Sequence, residues 1–518
     1  MIDAPEQTDA AALSPTRQWI ALAALTLPVL LISMDGTILG FAVPRLSESL
    51  RPTSSQLLWI IDVYSFVLAG LLVTMGNLGD RIGRRRLLVW GAGAFGVASA
   101  LAAVSTSSAM LIVSRAALGV AGATLLPSTL SLIRNVFPDH RKRQTAIAVW
   151  AAMFSVGSAV GPLLGGVLLE RFWWGSVFLV GVPVALVLVV MAPRVVPESK
   201  DPDPGPFDLS SAALSIATML PAVYGIKKLA EHGVAADAFV ALAFGIVAGI
   251  AFVRRQQRSE SPMIDVTLFR LPRFRTAISG NLIACFGFAG SLFFITQYLQ
   301  LVVGLSPVRA GLQLLPAIVV SITSSLRSPW LARRFGAFAV IATGLTIGGS
   351  GFVALSQLRV DSSLVLVTVA VMLINAGFSM AMTVAVDGII ASVPAAKAGA
   401  GASVSETANE LGFALGTALL GSIMTVVYRH EFTDLMGVDA ATIREARETL
   451  GAAERAAERI GGSGGAALRA LAHESFMDGI TIASAVAAVL VFIAASRAAV
   501  TARADLRARR SDELIGSR

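Results

Sequence analysis

Five ionisable side chains stand in stretches otherwise apolar enough to lie inside a bilayer: Asp35 in LPVLLISMDGTILGFAV, Asp62 in WIIDVYSFVLAG, Arg115, and the pair Glu406 and Glu410 in SETANELG. A charge at membrane depth is disfavoured by roughly 3 kcal/mol on insertion scales, so it persists mainly where it meets a partner or a cavity. Carboxylates placed there suit two tasks. Their desolvated charge attracts a cation strongly at low dielectric, and the same desolvation lets a proton compete for the site. Glu406 and Glu410 are four residues apart and share a helical face. Arg115 carries Gly119 and Gly122 on its own face, leaving room for a neighbouring helix and for pairing with a carboxylate or a carbonyl. Trp59 and Phe66 flank Asp62 at helical spacing and offer cation–π surface. Met153, Phe154, Phe288, Phe293, Phe294 and Tyr298 form a set able to line a soft pocket. Each residue also has a plainer reading: Asp62 at a wet helix mouth, Glu406 favoured by the dipole at a helix start, Arg115 in a static ion pair, and each aromatic in ordinary packing.

These residues need membrane helices to hold them. The chain of 518 residues is 55% apolar and 14% charged, with a mean hydropathy of +0.74. That composition belongs to a polytopic, all-α membrane protein. Fourteen apolar runs of about 20 residues can be counted. The acidic, polar start lacks the basic leader of a cleaved signal, so the first span is expected to be retained. The single cysteine, Cys285, excludes an intrachain disulfide and a cysteine metal site, and the four histidines fall between spans. No metal and no cofactor are expected. Of 41 Lys and Arg residues, 27 lie on the N-terminal side of the spans and 7 in the short loops opposite. This bias places both termini in the cytoplasm. It also accounts for the basic balance without nucleic acid, since the charge is spread over loops rather than gathered on one face.

An internal repeat divides the spans. GNLGDRIGRRR (76–86) follows the second span and LARRFG (331–336) the tenth, with Leu78, Arg81 and Gly83 matching Leu331, Arg334 and Gly336. The expected organisation is an N-tail (1–17), a six-helix half (18–196), a linker carrying two extra spans (197–275), a second six-helix half (276–498) and a C-tail (499–518). Two parallel halves around a midplane site are a common build of secondary transporters. Within the second half, the outer loop 428–475 places Ile443, Ala446, Leu450, Ala453, Ala457 and Ile460 at steps of three and four, before GGSGG at 461–465. This pattern predicts a helical hairpin lying on the membrane face or against the core.

The segments MDGTILGFAVP (34–44), GNLGDRIGRRR (76–86), Arg115 with ALGVAGATLLPSTLSLI, and GSAVGPLLGG (157–166) resemble the successive signatures of the major facilitator superfamily, in particular its fourteen-span drug:proton antiporters. WIIDVYSFVLAG, TLSLIRNVF and KAGAGASVSETANELG are similar to the quaternary-ammonium and multidrug exporters of staphylococci and mycobacteria. The resemblance covers about residues 17 to 500 and is weakest in the outer loop. It departs at Ser321 and Ser405, where the staphylococcal exporter has acids, and this puts carriage of divalent cations in doubt.

The resemblance implies a major facilitator fold and a monomer in the bacterial inner membrane, with protons, lipophilic cations and lipids as its partners. It ties Arg115 to proton coupling. It assigns Gly76, Gly79, Asp80, Arg81, Gly83 and Arg84 to a gating latch. It makes Gly157, Gly161, Pro162, Gly165 and Gly166 the antiporter motif, a rocking contact between halves. The expected function is proton-coupled export of lipophilic, mainly cationic drugs, dyes and antiseptics, with Asp35, Asp62, Glu406 and Glu410 exchanging cation for proton. Export of an endogenous metabolite, lipid or self-made antibiotic on the same fold is the alternative. An enzyme is disfavoured, because no nucleophile–base pair or metal cluster stands at membrane depth, and ATP use by the lack of a phosphate-binding G-x-x-x-x-G-K-[ST] sequence.

Overall fold

A computed structural model describes residues 14–200, 208–232, 235–259, 266–392, 398–432 and 438–516, and no strand occurs among them. The first 13 residues of the N-tail, part of the Pro/Asp-rich linker and part of the outer loop therefore lie outside the described residues. The first helices are α1 (Pro15–Leu50), α2 (Ser54–Ile82), α3 (Arg84–Ala103), α4 (Ser108–Val136), α5 (His140–Arg171), the short α6 (Ser176–Leu179) and α7 (Gly181–Val195). Then come α8 (Leu209–His232) and α9 (Ala236–Arg258). The remainder is α10 (Pro272–Gln297), α11 (Pro307–Gln313), α12 (Leu315–Phe335), α13 (Ala337–Leu355), α14 (Leu364–Ala391), α15 (Ala398–Glu431), α16 (Ala440–Ala446), α17 (Leu450–Ile460) and α18 (Gly462–Gly516).

Among the described residues, 12 helices are long and apolar enough to cross a membrane. The fourteen spans read from sequence also include α5 and α8, helices of 32 and 24 residues. The apolar part of α8, Ala213–Ile226, is shorter than a full span.

Helix ends follow local chemistry. α2 opens on a capping box, in which Gln56 N–H donates to Thr53 Oγ1 (3.2 Å) and Thr53 N–H donates to Gln56 Oε1 (3.1 Å). Two donors that would otherwise be orphaned are thereby satisfied. α2 stops at Gly83 (φ 108°) and α12 stops at Gly336 (φ 92°), a backbone that only glycine adopts without strain. The two repeat motifs thus end their helices in the same way.

The helices gather into two groups. In one, α1 packs on α5, α4 and α7, and α2 packs on α4; in the other, α10 packs on α15, α14 and α18, with α13 on α14 and α18. α8 and α9 pair with each other, and α8 lies against both α2 and α15. Asp208 caps α8 by accepting from Ser211 N–H (2.9 Å), and Arg255 of α9 donates to it at 3.1 and 2.8 Å.

The outer loop differs in detail from the single helix expected over 443–460. Thr449 caps a fresh start, accepting from Ala452 N–H at 3.1 Å, so the segment splits into α16 and α17. Ile443, Ala446, Leu450, Ala453 and Ala457 are buried, whereas Ile460 is 38% exposed. Only Gly461 and Gly462 of the glycine run turn the chain; from Gly462 the 55 residues of α18 continue through the last span into the segment read as a C-tail. α17 packs on α18 and α1. Arg429 of α15 donates to Glu448 (2.7 Å) and Tyr428 to the carbonyl of Ala446 (2.9 Å), fixing the hairpin over the bundle.

Candidate functional site

Arg115 sits at the centre of the first half, 2% exposed. Its guanidinium donates to Asp35 Oδ2 of α1 at 2.5 Å and to the carbonyls of Ile60 (3.0 Å) and Ile61 (3.3 Å) on α2, and lies 4.6 Å from the centre of the Tyr64 ring. The approach is permitted by Gly119 and Gly122, which face Tyr64, Val67 and Leu68 on α2, where a Cβ would crowd its neighbours. One buried cation therefore ties α4 to α1 and α2, and the charge of Asp35 is matched within the pair.

Beside this pair opens a cavity between the two groups of helices. Asp62, Tyr64, Ser65 and Arg115 line it from the first half, and Glu410 and Phe413 of α15 from the second. Phe154 of α5 and Phe288 and Phe293 of α10 supply aromatic walls. Asp62 and Glu410 are 2% and 6% exposed. Ser65 of the first half and Glu410 of the second line the same space. Two carboxylates contributed by the two halves, beside four phenyl rings, make a place where a lipophilic cation is both paired and covered.

Glu406 is one turn from Glu410 but does not line the cavity. It accepts from Asn409 Nδ2 (3.4 Å), and Asn409 in turn accepts from Asn281 (2.6 Å) and Cys285 (3.4 Å) on α10. The remaining aromatics divide. Phe66 packs on Val223, Ala414 and Ala418 with Trp59 beside it, so this face of α2 meets α8 and α15 rather than the cavity. Phe294 and Tyr298 are fully buried in the core, because Phe293 takes the cavity side and the next residue points about 100° away. Met153 packs against the core next to Phe154.

The glycine stripe of α5 meets a partner other than the one expected. Cβ atoms at Gly157, Gly161 and Gly165 would strike Ser33, Thr37 and Ile38 of α1, all within one half. Two positions of the motif reach across: Gly166 faces Pro307 and Val308 of α11, and the Pro162 carbonyl faces Gly311. In the Gly76–Arg86 loop, Arg84 pairs with Asp80 and donates to the Pro127 carbonyl (3.2 Å), while Gly76 faces Pro127. Glu198 accepts from Arg85 N–H (2.9 Å) and lies against Gly83; Gly79 lies against Arg84 and Leu87. Arg81 occupies the last turn of α2.

Tyr64, Ser65 and Phe413 were not picked out from sequence. The signal for the first two was a pair of polar side chains two and three residues after Asp62 in an apolar run; Phe413, an ordinary aromatic in a span, gave none.

Comparison with known proteins bears on the arrangement as a whole. The chain is 48% identical to the multidrug efflux pump LfrA of Mycolicibacterium smegmatis over 96% of this chain and 99% of that protein. It is 33% identical to the methyl viologen resistance protein SmvA of Salmonella typhimurium, over 92% and 97%. The fold is shared with a bacterial homologue of the human lysosomal transporter Spinster, solved inward-facing and unoccupied, at a TM-score of 0.63 and 18% identity over 94% of this chain and 98% of that one. A family model matches residues 25–417, and the chain belongs to the Major Facilitator Superfamily, a transport protein rather than an enzyme.

Proposed function

We propose that the chain is a proton-driven antiporter that exports lipophilic, mainly cationic drugs, dyes and quaternary ammonium compounds across a bacterial plasma membrane. The observation that carries the reading is the cavity walled by Asp62 and Glu410 with Phe154, Phe288 and Phe293. Relatives named for multidrug efflux and for resistance to methyl viologen support an exporter. Both termini are taken as cytoplasmic, with α16 and α17 outside.

Asp35 takes a different part from the free cation site expected of it. Its charge is matched by Arg115, so Asp62 and Glu410 hold the cargo. Protons entering from outside neutralise these two carboxylates and release the cation outward; loss of the protons to the cytoplasm restores the site. Arg115 and Asp35 sense the change through α2, whose Ile60 and Ile61 carbonyls Arg115 grips beside Asp62. Each charge crossing 100 mV supplies about 2.3 kcal/mol, so a modest gradient suffices.

The test is ethidium movement in proteoliposomes under an imposed pH gradient. The intact protein is expected to move ethidium against its concentration, and Glu410→Gln or Asp62→Asn to slow this at least about tenfold, the effect of losing roughly 1.4 kcal/mol of binding or coupling. Gradient-dependent movement that survives both substitutions would sink the assignment of these carboxylates. The absence of any such movement in the intact protein would sink the cargo.

A further inference from the structure

One turn beyond the charged cavity, on the side away from α16 and α17, a second polar group is buried between α10 and α15. Its members are Glu406 and Asn409 of α15 and Asn281 and Cys285 of α10. Glu406 stands closer than Glu410 to the start of α15 and is half-buried, whereas Glu410 is 6% exposed. Side chains four apart on a helix have Cβ atoms about 5–6 Å from each other, within reach of proton transfer directly or through one water.

The hydrogen bonds of this group run one way. The Asn409 side-chain oxygen accepts from Asn281 Nδ2 (2.6 Å) and from the Cys285 thiol (3.4 Å). With its oxygen held by two donors of α10, Asn409 must turn its NH2 toward Glu406, where it donates to Oε2 at 3.4 Å. The helices come close enough because α15 carries a glycine where α10 passes: a Cβ at Gly412 would lie 2.6 Å from Cys285 Cβ. Among the described residues, the titratable groups bearing on Glu406 are Glu410 on its own helix and the Cys285 thiol on α10. Its fixed partner is therefore a neutral amide, which can donate to the carboxyl with or without a proton. Asn281 is fully buried, and its Oδ1 has no hydrogen-bond partner among the described residues. An open buried acceptor costs about 1–3 kcal/mol, which marks the group as one with a task beyond packing.

We propose that Asn409 and Asn281 are positioning residues for proton transfer: they hold Glu406 as the acceptor through which the proton of Glu410 leaves toward the arginine-rich end. This rests on the proton-driven export reading and deepens it. The O–H bond of Glu410 breaks as its proton passes to a Glu406 oxygen. That proton then leaves Glu406 for water on the cytoplasmic side, and both carboxylates are restored. Cargo and proton thus part company at Glu410, since Glu406 lies outside the cavity that holds the cation.

The experiment separates binding, exchange and driven transport in the full chain. Binding is read with phenyltrimethylammonium. Exchange is read as ethidium crossing proteoliposomes at equal pH on both sides, where the carrier returns loaded and no proton need move. Driven transport is ethidium accumulation under a pH gradient. Asn409→Leu and, independently, Asn281→Leu are expected to slow driven transport at least about tenfold, with binding and exchange changed less than about twofold. Glu406→Gln is expected to slow driven transport at least as much. Retained binding shows that a variant is folded; should Asn409→Leu lose it, Asn281→Leu carries the comparison. Driven transport at the unsubstituted rate in folded variants overturns the proposal, and so does an equal loss of exchange and driven transport, the mark of a merely structural role. Failure of the unsubstituted protein to couple ethidium to the gradient removes the export reading and the proposal with it.

Discussion

Arg115 reaches Asp35, two backbone carbonyls of α2 and the face of Tyr64 with one planar group. A lysine has the charge but not the fork, so Arg115→Lys is expected to keep the fold and lose at least about tenfold in transport. Removing one partner of a buried pair leaves the other uncompensated, at a cost of about 3–5 kcal/mol. Asp35→Asn should therefore lower the thermal midpoint as well as transport, and Asp35→Asn with Arg115→Gln should recover midpoint but not transport. An unchanged midpoint in the single variant would show that the pair contributes nothing to the fold. Charges in apolar runs announced themselves in the sequence, because a bilayer makes them conspicuous. Their neighbours did not: whether Phe293 or Phe294 faces a cavity depends on the rotation of α10 against α15, which single-chain periodicity cannot fix.

The α5 stripe acts on the site through α1. Gly157 and Gly161 let Ser33 and Thr37 approach, and these residues bracket Asp35. Gly161→Val should wedge α1 away and lower both stability and transport, by the amount typical of overpacking, about 1–3 kcal/mol. Gly166→Ala, aimed at α11, should spare the thermal midpoint of the first half and slow cycling. Similar midpoint losses in both variants would contradict this division. The spacing of the glycines was plain in the sequence; their partner was not, since small-residue stripes fit any close neighbour. The α8–α9 pair gives a prediction of another kind. Arg255 holds the Asp208 carboxyl down to about 2 through hydrogen bonds. Because the folded value is depressed below the ordinary range near 4, the clasp contributes above that range and is lost only as pH falls toward 2. With the Arg255 side chain about half exposed, it is expected to be worth no more than about 1 kcal/mol. Asp208→Asn should therefore leave the shape of the transport profile between pH 5 and 9 unaltered. A displaced profile would mean that α8 takes part in coupling.

Across the whole molecule, the halves meet at the end that carries α16 and α17. Gly40 faces Thr296, Gly421 faces Leu58, and Gly166 faces Val308. The parallel repeat was visible from sequence in Gly83 and Gly336, but which ends of the halves touch is a property of one conformation and has no signature in the chain. If transport requires the halves to rock about the site, these contacts must part in each cycle. A Cβ at Gly40 would lie 4.0 Å from Thr296 Cβ, within the separation a disulfide spans. The only native thiol, Cys285, is buried and does not interfere. Gly40→Cys with Thr296→Cys, oxidised in proteoliposomes, is expected to stop gradient-driven ethidium movement, and reduction to restore it. Binding of phenyltrimethylammonium should persist in the locked state if the cavity stays open toward the arginine-rich end, because Asp62 and Glu410 are untouched. Transport at an undiminished rate with the bridge closed would show that the contact between α1 and α10 is fixed, and that the halves move about some other seam.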